Sequence, residues 1–182
     1  MSRIPTPSSV DSSPTSSQPL LDAAKRQLDS VPNMFRIIGN SPAALEGYLA
    51  LSVALGKGQL DAATRTAISL AVAERNGCDY CLSAHTYLGV NLVKVDAAEL
   101  AANRDARSGD ARRSAALQFA GKLVAERGRV TAADVEAVSS AGYSAAEVVE
   151  IVLHVALNTL TNYVNIALAT DFDFPIVTHR TA

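Results

Sequence analysis

The chain has 182 residues, which is enough for one domain with a hydrophobic core and too few for two full domains. Hydrophobic residues make up 48% of the chain and many are alanine, whereas aromatic residues make up only 5%. This composition favours closely packed helices, so we expect an all-α fold. The formal net charge is −2 with acids and bases interspersed, and no lysine- and arginine-rich stripe is present. We therefore expect no nucleic-acid partner.

The first 19 residues are rich in serine, proline and threonine and lack the apolar stretch that a secretory signal requires. Such a segment has too little apolar surface to offset the entropy lost on ordering, which predicts a disordered tail over 1–19. A single helical domain is expected to occupy residues 20–182.

Helix signals begin directly after this tail. Helical periodicity covers 20–28, and a short turn or helix follows over 32–38. Ser41 followed by Pro42 is a typical N-cap with proline at the first helical position, so a third helix should start there and run to Leu55.

Asp61 is the expected cap of a helix that runs to Asn76, where Gly77 provides a left-handed terminator. A C-x-x-C motif follows at once. Cys78 is expected in the opening turn of a new helix that extends to about Leu88.

The second half of the chain continues the helical pattern. Helices are predicted over 96–103 and 110–127, and two capping-box motifs open the last two helices, which span 131–142 and 144–171. Because no window alternates with a period of two residues, we predict no strands.

The most apolar stretch, 151–169, approaches the length of a membrane span, but one histidine and three asparagines interrupt it. We therefore interpret it as a buried helix and expect no membrane partner. Four of its residues fall within about 60° of one another on a helix, forming a polar stripe of His154, Asn158, Thr161 and Asn165. Inter-helix hydrogen bonds or a subunit interface are the favoured explanation. The alternative is that the polar stripe lines a cavity facing Cys81.

Both cysteines of the chain lie in the C-x-x-C motif. A secreted protein would distribute its cysteines to cross-link distant segments, whereas this motif closes only a very small loop. The pattern indicates redox or metal chemistry in a reducing compartment, and we expect a cytoplasmic protein.

On a helix, Cys81 and His85 lie about −60° and −20° from Cys78, so the three side chains share one face. The helix dipole should lower the thiol pKa of Cys78, and a protonated His85 one turn away should lower that of Cys81. These arguments favour different nucleophiles, and geometry alone leaves both open.

A zinc site is the second interpretation of the motif. Cys78, Cys81 and His85 would supply three ligands, with His154 or Glu74 as the fourth. Structural zinc sites usually take a second ligand pair from a distant segment, and the sequence contains no such pair. We therefore favour a dithiol that needs no metal or other cofactor.

Three segments, 31–35, 40–45 and 71–85, resemble the alkylhydroperoxidase D-like branch of the carboxymuconolactone decarboxylase family, and the later segment from His154 to Pro175 fits the same branch. The resemblance covers nearly all of the chain after residue 19. It implies an all-helical bundle that assembles into homo-oligomers such as trimers or hexamers. It also implies a thiol-dependent peroxidase or disulfide oxidoreductase.

The resemblance further implies roles for the site residues. Cys81 would attack a peroxide or another small oxidant, Cys78 would resolve the sulfenic acid to a disulfide, and an external dithiol would reduce it. Family members carry a relay glutamate and a second histidine where this chain has Thr66 and Tyr80. Glu74 is the nearest remaining acid and is our tentative catalytic acid.

Two other functions are weighed against this one. The first is a non-catalytic redox-sensing or scaffold protein whose disulfide changes its partners or assembly. The second and weaker one is carboxymuconolactone decarboxylase-type activity, since that branch works without the cysteine pair.

Overall fold

The computed structural model describes residues 1–180, so the last two residues of the predicted domain, 181–182, lie outside the described residues. The described chain contains nine α-helices and no strand, which confirms the all-α prediction. The helices are α1 (Gln18–Leu28), α2 (Asn33–Ile38), α3 (Pro42–Gly56), α4 (Ala62–Asn76), α5 (Asp79–Leu88), α6 (Ala97–Arg104), α7 (Ala111–Ala125), α8 (Ala132–Ser140) and α9 (Ala145–Leu168). A 3₁₀ turn at Thr15–Ser17 precedes α1, and a π-helix at Gly89–Val93 continues α5.

Helix α4 is the centre of the bundle and packs against α5, α6, α7 and α9. Its residues Ile68 and Val72 are fully buried in the main hydrophobic core with Leu117 of α7 and Ile151 of α9. Leu70, also on α4, belongs to a second buried cluster that includes Cys78 and Cys81. Because α4 takes part in both clusters, it fixes the start of α5 relative to α9.

The helix starts follow the capping residues of the sequence. Ser41 caps α3 and Asp61 caps α4 through their side chains. Thr131 and Ser144 form complete capping boxes at the starts of α8 and α9. These four predicted starts are confirmed, because each depends on hydrogen bonds within one turn of the chain.

Three local features differ from the sequence prediction. Helix α9 ends at Leu168 rather than near residue 171, with Ala169 in the left-handed conformation at φ 50°. Cys78 is the N-cap of α5 rather than a residue of its first turn. The π-helix after α5 has no counterpart in the prediction.

The segment 1–19, expected from its composition to be a disordered tail, packs against the bundle. The Arg3 backbone amide donates to the Leu168 carbonyl at 2.8 Å, and the Ser17 hydroxyl donates to the Gly39 carbonyl at 2.7 Å. Val10 packs against the cluster of α1 and α3. Composition did not predict this packing, because the segment is held mainly by hydrogen bonds to residues far away in the sequence. Apolar contacts such as that of Val10 contribute less.

Helix α9 has 24 residues and is long and apolar enough to cross a membrane by length and composition alone. In the bundle its inner side packs against α3, α4, α5 and α7. That side includes the polar stripe, whose four residues are all buried. The helix is therefore a core helix of this fold, as expected from the sequence.

Candidate active site

The two cysteines lie where α4 ends and α5 begins. Gly77 ends α4 with φ 66°, a left-handed conformation that glycine adopts without steric cost. The chain then reverses within one residue, and the Cys78 Sγ caps α5 by accepting the Cys81 backbone N–H at 3.3 Å. The sulfur of Cys78 is therefore held at the positive end of a helix, where a thiolate is stabilised.

Cys78 and Cys81 are joined by a disulfide, and their Cα atoms are 5.3 Å apart. Both side chains are buried, with 1% and 3% of their surfaces exposed. The structure therefore represents the oxidised form of the dithiol.

A cavity of about 730 Å³ opens between α1, α3, α4, α5 and α9. Cys81 lines this cavity, whereas Cys78 is not among its lining residues. Both cysteines belong to the apolar cluster that also contains Leu82 and Leu100, so the difference between them is that only Cys81 also reaches the cavity. A small molecule in the cavity would therefore meet the sulfur of Cys81 and not that of Cys78.

His85 lies one turn after Cys81 on α5 and lines the same cavity. Burial lowers the pKa of the His85 imidazole to about 4, and the neighbouring Asn158 side chain acts in the opposite direction. In the oxidised protein His85 is therefore neutral near pH 7, unlike the protonated histidine considered from the sequence. A neutral imidazole in this position is able to accept a thiol proton from Cys81.

The Asn165 side chain brings α9 into direct contact with the motif. Its Nδ2 donates to the Cys81 Sγ at 3.3 Å, and the residue is only 3% exposed. An N–H donor aimed at sulfur favours the thiolate over the thiol, because hydrogen bonding to a charged form stabilises that form. Asn165 is thus a second group, besides His85, that would make Cys81 more acidic.

All four members of the polar stripe line the cavity that contains Cys81. The Asn158 Nδ2 donates to the His154 carbonyl at 2.8 Å, and the Thr161 hydroxyl donates to the Asn158 carbonyl at 2.9 Å. These two bonds stay within α9, whereas Asn165 of the same stripe bonds across to Cys81 of α5. The structure thus favours the cavity-lining interpretation of the polar stripe, which the sequence had ranked second.

Glu74 lies outside the cluster of Cys81 and His85. Its Oε2 accepts a bond of 2.6 Å from the Arg104 Nε, and its Oε1 accepts the Arg180 backbone N–H at 2.7 Å. Both side chains of the Glu74–Arg104 pair are mostly buried. The tentative catalytic acid therefore anchors the chain end against α6, and it does not line the cavity.

Thr66 and Tyr80 both line the cavity. The Thr66 hydroxyl donates to the Ala62 carbonyl of its own helix at 2.9 Å. The Tyr80 hydroxyl accepts the Met34 backbone N–H at 3.2 Å, and burial raises the pKa of the phenol well above its usual range. Neither side chain is placed to exchange a proton near pH 7, so His85 is the titratable group beside Cys81.

Within residues 1–180, no three or more histidine, cysteine or acidic side chains are arranged to hold a metal ion. The described geometry thus gives no support to the zinc interpretation of Cys78, Cys81 and His85.

The cavity also contains an arginine that the sequence analysis did not predict as a site residue. Arg65 lies in the first turns of α4, where the helix dipole disfavours a cation, and it lines the cavity. A cation at this unfavourable end of a helix was the sequence feature that could have indicated a functional role for Arg65.

The family model described as the carboxymuconolactone decarboxylase family matches residues 41–122. The match covers 82 of the 182 residues and shows that this segment is similar to that family. The matched segment runs from the cap of α3 into α7 and includes the whole C-x-x-C-x-x-x-H motif. The family resemblance predicted from the sequence is confirmed.

Solved structures with the same fold cover nearly the whole chain. An uncharacterized peroxidase-related protein from Silicibacter sp. TM1040 is 25% identical with a TM-score of 0.81, covering 93% of this chain and 91% of that one. The alkylhydroperoxidase AhpD core of an uncharacterized peroxidase-related protein from Ralstonia eutropha JMP134 is 25% identical with a TM-score of 0.83, covering 94% and 92%. The alkylhydroperoxidase D-like helical fold is thereby confirmed.

The debrominase Bmp8 shares the fold at 18% identity with a TM-score of 0.75, covering 87% of each chain. No curated protein matches the chain significantly.

Proposed function

We propose that the protein is a thiol-dependent peroxidase or disulfide oxidoreductase in which Cys81 attacks the oxidant. One observation carries the proposal: of the two disulfide-bonded cysteines, only Cys81 lines the cavity, and it does so beside His85. The peroxidase-related neighbours of this fold support the same reaction class.

In the reduced protein, His85 takes the Cys81 thiol proton, and the resulting thiolate is stabilised by the Asn165 amide. The thiolate attacks one oxygen of the hydroperoxide and the O–O bond breaks. The leaving alkoxide takes the proton from His85 and departs as an alcohol. Cys81 is left as a sulfenic acid.

Cys78 completes the cycle as the resolving thiol. It attacks the sulfenic sulfur of Cys81 and the S–O bond breaks. The hydroxide leaves as water with the proton given up by the Cys78 thiol, which gives the disulfide present in the structure. Its position as the N-cap of α5 favours the thiolate needed for this attack. An external dithiol then reduces the disulfide by thiol–disulfide exchange, and we propose a cytoplasmic location because it provides such reductants.

Single cysteine variants test this assignment. With a supplied dithiol and an organic hydroperoxide, Cys81→Ser should abolish peroxide consumption. Cys78→Ser should stop turnover after one equivalent and leave a sulfenic acid on Cys81 that a sulfenic-acid-specific reagent traps. If Cys78→Ser shows no trapped sulfenic acid while Cys81→Ser does, the two roles are reversed. If the wild-type protein consumes no peroxide with any dithiol, the enzyme proposal fails.

A non-catalytic redox sensor is the second candidate, and a specific contact favours it. The C-terminal strap, defined as residues 171–180, bonds to α5 beside the disulfide. The Val177 N–H donates to the Ser83 hydroxyl at 2.9 Å, and the His179 N–H donates to the Asp79 carboxylate at 2.7 Å. A strap that loosens on reduction, in a protein that consumes no peroxide, would support the sensor over the enzyme.

We also propose that the protein forms a homo-oligomer through the outer face of α9. Large apolar side chains are exposed on that face, namely Val149, Val152, Leu153, Leu160, Tyr163 and Ile166. Exposed apolar patches of this kind are typical of subunit interfaces. The family resemblance implies assemblies such as trimers or hexamers, so a second copy of the chain is the proposed occupant.

A further inference from the structure

The cavity has one polar region around Cys81, His85 and Asn165 and a second polar region at some distance from it. Arg65 of α4 and His154 of α9 both line it. The Arg65 Nη1 donates to the Leu60 carbonyl at 2.5 Å, which fixes the guanidinium near the turn between α3 and α4. The rest of the lining is mainly aliphatic and aromatic, with Leu49, Val53 and Leu157 among its members.

Arg65 keeps unused hydrogen-bonding capacity. A guanidinium has five N–H donors, and the hydrogen bonds found within residues 1–180 use only one nitrogen, Nη1. No carboxylate of the described chain lies within ion-pair distance of Arg65. The neighbouring Glu150 is occupied elsewhere, because its carboxylate accepts the backbone N–H groups of Gln59 and Leu60.

At the same end, His154 adds a buried ring nitrogen without a hydrogen-bond partner in the described chain. The residue is 6% exposed, and its Nε2 is buried without a hydrogen-bond partner among residues 1–180. Burial and the charge of Arg65 lower the pKa of His154, so the ring is neutral near pH 7 and offers an N–H rather than a charge. Buried polar groups normally find partners, so an unpartnered one lining a cavity indicates a ligand group.

The polar end is separated from Cys81 by the length of the cavity. His154 lies eleven residues before Asn165, the neighbour of Cys81, which is about 16 Å along α9 at 1.5 Å per residue. The chain rises along α4 from Arg65 to Gly77 and returns along α5 to Cys81. With the same rise per residue, the net distance between Arg65 and Cys81 along the helix axes is about 12 Å. Two independent helices therefore give a spacing of about 12–16 Å.

One acidic residue, Glu46, also lines the cavity and has to be considered. It is exposed, and it lies ten residues before Gly56, or about 15 Å along α3 from the turn where Arg65 is held. Its charge is therefore not expected to neutralise the end formed by Arg65 and His154.

We propose that Arg65 and His154 form an anion subsite that binds the carboxylate of an amphipathic hydroperoxide, with the peroxide group placed at Cys81. This assignment rests on the proposed peroxidase function and adds the substrate class to it. An extended alkyl chain of about ten carbons, with C–C bonds of about 1.5 Å, fits the spacing between the two ends. The apolar walls accommodate the chain, and the arginine fork suits a carboxylate.

Binding of an unreactive acid tests the subsite without relying on catalysis. The oxidised protein should bind decanoate at least tenfold more tightly than methyl decanoate in calorimetric titrations. Arg65→Gln should lose about ten- to hundredfold of the decanoate affinity, the effect expected for one charge-assisted pair, and leave the ester unchanged. Arg75→Gln, an exposed arginine on the same helix, is the matched control and should bind like wild type.

His154→Leu provides a second variant in case Arg65→Gln does not fold, and it should also weaken decanoate binding. Equal binding of acid and ester by the wild-type protein would overturn the subsite whatever the variants do. If decanoate binding depends on Arg65 but the protein consumes no hydroperoxide, the anion subsite is supported and the peroxidase function is wrong. Peroxide consumption with equal kcat/KM for acid and ester hydroperoxides would retain the peroxidase and reject the subsite.

Discussion

The amide nitrogen of Asn165 lies 3.3 Å from the sulfur of Cys81 and joins the last helix to the dithiol over a sequence separation of 84 residues. The contact is buried, and the Asn165 Oδ1 has no hydrogen-bond partner among residues 1–180. The bond from Nδ2 to the Cys81 sulfur is therefore the side-chain hydrogen bond that Asn165 makes within residues 1–180. Removing that donor should affect the acidity of one cysteine without changing the motif itself.

We expect Asn165→Leu to raise the pKa of the Cys81 thiol by roughly one unit, since one hydrogen bond to a charged group is lost. The thiolate absorbance of the reduced Cys78→Ser protein, followed against pH with and without Asn165→Leu, measures this change. Thr161→Val is a matched control because Thr161 lines the same cavity but bonds only to its own helix. An unchanged thiol pKa in Asn165→Leu would contradict the role of the amide.

The partly buried His85 predicts a pH dependence of stability in the oxidised protein. Its pKa is lowered from 6.5 to about 4, so the unfolded chain binds its proton more readily than the folded chain. The free energy of unfolding should therefore fall as pH decreases through the window from 6.5 to 4, by an amount on the order of 3 kcal/mol for this group.

Denaturant unfolding without reductant at several pH values checks this prediction. His154 acts in the same direction, because burial also lowers its pKa, so the wild-type curve contains both contributions. His85→Gln should remove the contribution of His85 to the pH dependence of the free energy of unfolding, and His154→Gln should remove the contribution of His154. If His85→Gln leaves the slope of stability against pH unchanged, His85 is not the neutral buried group described here.

Glu74 provides a test that separates anchoring from catalysis. Glu74→Gln breaks its mostly buried ion pair with Arg104 and should lower the free energy of unfolding by about 1–3 kcal/mol. Amide exchange in the strap should become faster, because Glu74 also accepts the Arg180 N–H. Peroxide consumption should persist. Glu136→Gln, at an exposed position, is the control, and loss of activity in a Glu74→Gln protein of normal stability would make Glu74 catalytic after all.

The fold was predictable where its signals are local. Ser41, Asp61, Thr131 and Ser144 begin their helices by bonds to residues three positions later, so a single sequence contains the whole signal. The end of α9 was not predictable in this way. Its last carbonyl accepts the Arg3 N–H, a contact between the N-terminal segment and the last helix that no local pattern reveals.

The same division holds for the candidate site. The sequence predicted the group of Cys78, Cys81 and His85 because residues three and four positions apart lie on the same side of a helix. Helical spacing placed Asn165 on the polar stripe, but its bond to Cys81 depends on how α9 packs against α5. Arg65 reaches the cavity only through the packing of α4, so no spacing indicated it. Glu74 is close to Cys78 in sequence, but it lies before the reversal at Gly77 and its carboxylate meets Arg104 of α6.

The outer face of α9 leads to a prediction about assembly. Tyr163 is 63% exposed, and it lies on α9, a long apolar helix. If a second copy covers this face, Tyr163→Asp buries a charge at the interface and should shift the protein towards monomers by light scattering. Ser139→Asp, an exposed position on α8, should leave the mass unchanged. A monomeric wild-type protein, or an oligomer that is insensitive to Tyr163→Asp, would show that another surface or no surface mediates assembly.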